Sequence, residues 1–139
     1  MFRIPVPALA ALLALSAPAL AQDAARGEAE FRKCKACHAI IAPDGTAIQP
    51  GGKTGPNLYG VVGRTVASTD FAYGVSLKSV GAAGAVWDEA ALAAYVADPT
   101  AWLKEATGDA GAKSKMTFKL AKGSADVAAY LASAAPASE

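Results

Sequence analysis

Cys34-Lys35-Ala36-Cys37-His38 is the stretch of this sequence whose residue types and spacing promise chemistry. Two thiols three positions apart near a helix end reach the two vinyl groups on one edge of a haem and add to them as thioethers. The next residue, a histidine, then lies under the iron and offers a ring nitrogen. A dithiol redox motif uses the same cysteine spacing, but on a strand–helix unit, and no strand pattern precedes Cys34. A tetrahedral zinc site needs four ligands, and the chain holds two cysteines and one histidine in all. A disulfide across two intervening residues would close too small a loop to staple a fold. Haem attachment accounts for all five residues.

A single histidine excludes bis-histidine ligation within one chain. The other face of the iron is left to a methionine, a lysine, a tyrosine, water or nothing. Of the two methionines, Met1 belongs to the leader described below. Met116 lies in Lys115-Met116-Thr117-Phe118, in loop and far from the cysteine motif, where it can close over the opposite haem face or simply pack against it. A soft thioether would favour ferrous iron and raise the reduction potential relative to two imidazoles. Strong ligands on both faces leave no open coordination position, so such a site moves electrons and activates no substrate.

The elements that must position these residues read as helices joined by long irregular segments. Asp23 is an N-cap for a first helix on which Gly27, Phe31 and Cys34 share one face. Residues 42–69 are rich in Gly, Pro, Asn and Thr and read as loop. No useful period-two alternation occurs, so no substantial sheet is expected. Asp88 caps the next helix, with Trp87 and Leu92 placed as a hydrophobic staple. Asp98-Pro99 starts another, with Pro at its first position. Residues 106–115 return to loop, a last helix begins near Ser124, and the tail at 136–139 is expected to fray. Large apolar side chains are few for so much loop, and a big apolar cofactor at the centre would supply the missing buried surface.

The 139 residues suffice for one domain. Arg3, the apolar run Ala8 to Ala17 and Ala19-Leu20-Ala21 have the form of a secretory signal cleaved after Ala21. The run is too short to span a bilayer. Residues 22–139 then form the single domain of a protein exported to the periplasm, with no membrane insertion. Losing Arg3 leaves 12 basic and 12 acidic residues. That balance gives no footprint for nucleic acid.

With these residues in place, the chain resembles the class I c-type cytochromes, of the bacterial cytochrome c2 type that is similar to the mitochondrial protein. The resemblance runs from about Asp23 to Leu131. It includes Gly27-x-x-x-Phe31, Gly55-Pro56-Asn57-Leu58-x-Gly60, Gly63-Arg64, Phe71-x-Tyr73, Trp87, Tyr95-x-x-x-Pro99 and Lys115-Met116-x-Phe118. It implies an all-α fold of about four to five helices with long loops wrapped around one covalent haem c. It also implies His38 and Met116 as axial ligands, and a Pro56 carbonyl that accepts from the second ring nitrogen of His38. Arg64, Tyr73 and Trp87 would hold the buried propionate, and Tyr95 and Ser114 would neighbour Met116. The Gly27/Phe31 face would pack on Tyr130 and Leu131. Residues 42–52 and roughly 106–113 are added loop relative to shorter members.

Lys33, Lys35, Lys53, Lys113, Lys115, Lys119 and Lys122 gather on segments expected at the haem edge, while carboxylates are commoner elsewhere. Such asymmetry would steer an acidic partner to that edge. The function implied is a monomeric, non-enzymatic one-electron shuttle. It would run from a quinol-oxidising cytochrome complex (quinol–cytochrome c reductase) to cytochrome c oxidase or a photosynthetic reaction centre. A peroxidase-like enzyme or a haem sensor is the rival, and either needs an open or exchangeable iron position.

Overall fold

The computed structural model describes residues 22–135; the expected leader at 1–21 and the tail at 136–139 lie outside them. Helix α1 spans Ala24–Glu30 and runs into a 3-10 turn at Phe31–Lys33. Strands β1 (Ile40–Ile41) and β2 (Ala47–Gln49) follow, then α2 (Val75–Ala82), α3 (Glu89–Ala97), α4 (Pro99–Thr107) and α5 (Ser124–Ser133). Among the described residues no helix is long and apolar enough to cross a membrane.

Three helices begin on aspartate caps. Asp23 accepts from the Ala25 and Arg26 amides, Asp88 from Ala91, and Asp98 from Ala101 with Pro99 behind it. Each cap satisfies amides that have no partner inside their own helix. Helix α4 extends to Thr107, two residues into the stretch expected to be loop, and stops at Gly108 in the left-handed region at φ 69°.

Two elements depart from the expectations. Helix α2 falls where no helix was expected. Its cap, Gly74, offers no side chain, and Ser76, Ser79 and Gly81 dilute any apolar stripe. The start of the stretch read as loop supplies the turn, at Pro43-Asp44, and the second strand of an antiparallel hairpin in which β2 pairs with β1 just before that stretch. An irregular register pairs Ile40 with Gln49 and Ile41 with Ala47. Strands this short show no alternation to read.

The core joins α1, α3 and α5. The Gly27/Phe31 face packs on α5 as expected, with Phe31 fully buried and its ring centroid 5.8 Å from that of Tyr130. A Cβ on Gly27 would lie 1.9 Å from the Asp126 carbonyl oxygen, so only hydrogen lets the two backbones approach this closely. A second cluster joins α3 and α4 to the preceding loop: Trp87, Tyr95 and Trp102 have ring centroids 5.1 to 5.5 Å apart. Separations of this kind add attraction beyond buried area.

Alanine is the better helix former by about 1 kcal/mol, but Gly27→Ala drives a methyl into main chain. It should therefore destabilise the protein by about 1–3 kcal/mol in denaturant unfolding, whereas Glu28→Ala on the exposed face should change little. Asp98 is held below the usual carboxylate range, first by the Ala101 amide and then by Lys119, 3.1 Å away. A depressed carboxylate stabilises the fold above its unfolded value, and that contribution is lost as pH falls through the folded value. Asp98→Asn keeps a cap, so its acid unfolding profile should be the shallower one from about pH 4 downward.

Candidate functional site

The cysteine motif follows directly from the 3-10 turn. The Cys34 amide donates to Phe31 O at 2.8 Å, and the His38 amide closes back on Cys34 O at 2.9 Å. This tight turn sets both thiols and the imidazole at the end of α1, beside the Phe31 side chain that fixes α1 to α5. Burial, then the nearby Glu30 carboxylate, pushes the Cys34 thiol up to about 11. Redox-active thiols need the opposite shift, so the environment of Cys34 does not suit a dithiol exchange centre.

The glycine-rich segment 51–57 wraps the motif through main-chain bonds. The Gly52 amide donates to Lys35 O at 2.9 Å and the Gly55 amide to Cys37 O at 2.8 Å. The Asn57 side chain clamps the main chain of Ile41 in β1, accepting from its N at 3.0 Å and donating to its O at 2.8 Å. Gly55 lies flat against the imidazole, and a Cβ there would be 2.4 Å from His38 Cε1. The Pro56 carbonyl stands 2.8 Å from His38 Nδ1. A carbonyl only accepts, so Nδ1 carries the proton and Nε2 keeps its lone pair. Burial lowers the His38 pKa and so favours the neutral ring, while the hydrogen bond to the Pro56 carbonyl opposes that shift.

The segment 113–118 borders a cleft that His38 also lines. Met116 is half-buried, its amide donating to Ser114 Oγ at 3.1 Å. Ser114 Oγ also lies 3.4 Å from the hydroxyl of Tyr95, whose pKa burial raises. The cleft measures about 400 Å³. Cys34, Cys37, His38, Pro56, Arg64, Tyr73, Trp87, Tyr95, Ser114 and Met116 all line it, and its remaining walls are mostly apolar, with Phe31, Leu92 and Leu131 among them.

Size and chemistry of the cleft both fit a large, mainly apolar group with one anionic end. Left unfilled, that apolar lining would face water, and covering it with an apolar group is worth about 25 cal/mol per Å². Arg64 supplies the positive end. It is half-buried, its guanidinium donates to Tyr59 O at 3.2 Å and Asn57 O at 3.4 Å, and among the described residues no carboxylate pairs with it. A cation placed this way is uncompensated without an anion in the cleft. Main-chain bonds between 63–66 and 85–87 set Arg64 beside Trp87 (Trp87 N to Arg64 O, 2.9 Å). The Tyr73 hydroxyl is hydrogen-bonded to Thr69 Oγ1, a partner with no sequence signal.

Of the seven lysines expected at the edge, Lys33, Lys113 and Lys115 line the cleft; Lys35, Lys53, Lys119 and Lys122 do not. Lys33 pairs with Glu30 at 2.7 Å and Lys119 with Asp98, and Lys115 Nζ donates to Ala72 O at 2.8 Å.

No family model matches the chain. Individual relatives do. Cytochrome c2 of Rhodobacter capsulatus is 61% identical over 127 residues, covering 91% of this chain and 93% of the relative. Cytochrome c-550 of Paracoccus versutus is 57% identical over 139 residues, covering 96% and 90%. Solved structures of the same two proteins superpose with TM-scores of 0.79 and 0.81 at 62% and 59% identity. The first match covers 80% of this chain and 97% of that structure; the second covers 84% and 100%.

Gly55→Ala tests the fit of the imidazole to its cradle. The added methyl must displace the His38 ring or the loop. It should cost about 1–3 kcal/mol of holoprotein stability and speed exchange of the His38 Nδ1 proton as the contact to Pro56 weakens, both measurable by denaturant titration and NMR.

Proposed function

The chain belongs to the class I c-type cytochromes of the c2 and c-550 type, electron carriers that bind one covalent haem c, and on that premise we propose that it is a soluble periplasmic one-electron shuttle with histidine–methionine ligation. The observation that carries the proposal is that His38 and Met116 line one apolar cleft beside Cys34 and Cys37.

Cys34 and Cys37 would form the two thioether bonds, and His38 Nε2 and the Met116 sulfur would be the axial ligands. When bound, haem c supplies a one-electron iron couple. The protein's part is to hold that couple still and dry. The Pro56 carbonyl orients His38 and raises its basicity. Arg64, Tyr73 and Trp87 provide donors for a propionate. Buried rings such as Phe31, Trp87 and Tyr95 exclude water and keep the environment the same in both oxidation states, which keeps the barrier low.

Lys33, Lys113 and Lys115 at the mouth of the cleft suit an acidic docking face. The partners are the membrane complexes expected from the sequence, a quinol-oxidising donor and an oxidase or reaction centre as acceptor. Encounter with them is steered by charge and slows as salt rises. Residues 1–21 serve as the export signal, cleaved after Ala21.

Replacing Met116 tests the assignment. The wild-type ferric protein should show a far-red sulfur-to-iron band, and the reduced protein should bind carbon monoxide slowly at neutral pH. Met116→Ala should abolish the band, lower the potential and open the reduced iron to rapid carbon monoxide binding. A wild type that binds carbon monoxide as fast as the variant would favour an open-site enzyme instead.

A further inference from the structure

The segment that presents Met116 is fastened to two helices by hydroxyls that the haem site itself does not use. After α4 ends at Gly108, the chain makes a self-contained turn. Asp109 N donates to Thr107 Oγ1 at 3.2 Å, Gly111 N to Asp109 Oδ1 at 2.8 Å, and Ala112 N to Asp109 O at 3.1 Å. The turn ends on Ala112, which is buried in the core. The next two amides leave the segment. Lys113 N donates to Ser76 Oγ of α2 at 3.1 Å, and Ser114 N donates to Thr100 Oγ1 of α4 at 3.4 Å. The Ser114 hydroxyl, so placed, accepts the Met116 amide at 3.1 Å.

We propose that Ser76 and Thr100 are positioning residues that hold the Met116 segment against the cleft and set how often Met116 leaves it. The inference rests on the reading of Met116 as the second iron ligand. No helix or strand constrains residues 109–123, so the segment has no ladder of its own. Before Met116 its main chain is tethered by these two side-chain acceptors and by the burial of Ala112; beyond Met116 the next anchor is buried Leu120, whose amide donates to Val96 O at 2.8 Å. Helices α2 and α4 pack on one another, so the two acceptors form one fixed platform rather than two independent contacts. Residues 109–113, between the end of α4 and Ser114, thereby act as a strut that delivers Lys113 and Ser114 to that platform.

The test uses holoprotein carrying Ser76→Ala, Thr100→Val or both. Imidazole is the probe, because it binds ferric iron only after Met116 has left. A neutral hydrogen bond has a net worth that converts to about two- to tenfold in an open population. Each single variant should keep the far-red band but bind imidazole about two- to tenfold faster, and the double variant faster still. Amide exchange should quicken at Lys113 in Ser76→Ala and at Ser114 in Thr100→Val, and Thr100→Ser should restore the wild-type rate. If the band is normal but the double variant takes up imidazole at the wild-type rate, while its thermal midpoint falls, the hydroxyls merely support the fold and the proposal is overturned. If the wild type itself lacks the band, the ligand assignment fails and takes this inference with it.

Discussion

The bond between His38 Nδ1 and the Pro56 carbonyl is the contact on which the rest of the site depends. It decides which ring nitrogen carries the proton, and so which one faces the cleft. It also demands that a main-chain carbonyl be brought within 2.8 Å of a half-buried ring at the end of another element. The chain meets that demand with segment 51–57, which has almost no side chains where it crosses the motif. Gly51, Gly52 and Gly55 each lie where a Cβ would strike the main chain of 35–38 or the imidazole itself. Asn57 then closes the segment onto β1. Its main-chain carbonyl, with that of Tyr59, accepts from the Arg64 guanidinium. One constraint on a ring thus runs through a loop to the cation at the far edge of the cleft.

Around that constraint the core is built as a frame rather than a filled interior. Phe31 and Tyr130 lock α1 to α5, and the Trp87, Tyr95 and Trp102 rings lock α3 and α4 to the loop before them. Both sets of aromatic contacts end at the cleft, where Phe31, Trp87 and Tyr95 form part of its wall. Side chains that would ordinarily bury themselves against one another instead present a face to a shared space. The apolar surface of the cofactor therefore belongs to the core in the same sense as any of these rings.

What could be read from the sequence was what local chemistry announces. Asp23, Asp88 and Asp98 mark helix starts because a carboxylate before an apolar run has few other uses, and all three cap as expected. The cysteine motif is legible because thioether geometry demands consecutive positions. Met116 could be singled out because so few residues compete with it. Helix α2 was not legible, since Gly74 caps with no side chain and its packing on α4 is a tertiary contact that no local pattern announces. The hairpin was hidden by its brevity. Pro56, Arg64, Tyr73, Trp87, Tyr95 and Ser114 carry no local mark of a shared cleft. Only the resemblance grouped them, because their meeting is a property of the whole chain's path. Asn57, Ser76 and Thr100 had no assigned role, because a side chain that accepts from a distant amide looks like any other polar residue in a helix or loop.

The two walls of the cleft are held in different ways, and the difference follows from the sequence around them. The histidine wall is secured by main-chain bonds, Gly52 to Lys35 and Gly55 to Cys37, across glycines that allow backbones to touch. It also sits on the turn that ends α1, so moving it would require disrupting the α1–α5 pair. The methionine wall has neither support. Its main chain is tied through serine and threonine hydroxyls, each a single neutral contact and partly exposed. Net stabilisation from such contacts is small and separable, whereas the glycine-mediated approach yields only with the surrounding backbone. Local opening should therefore begin at 113–118 while the motif and its imidazole stay in place. A protein built this way keeps the attachment side permanent and confines its conformational freedom to the other.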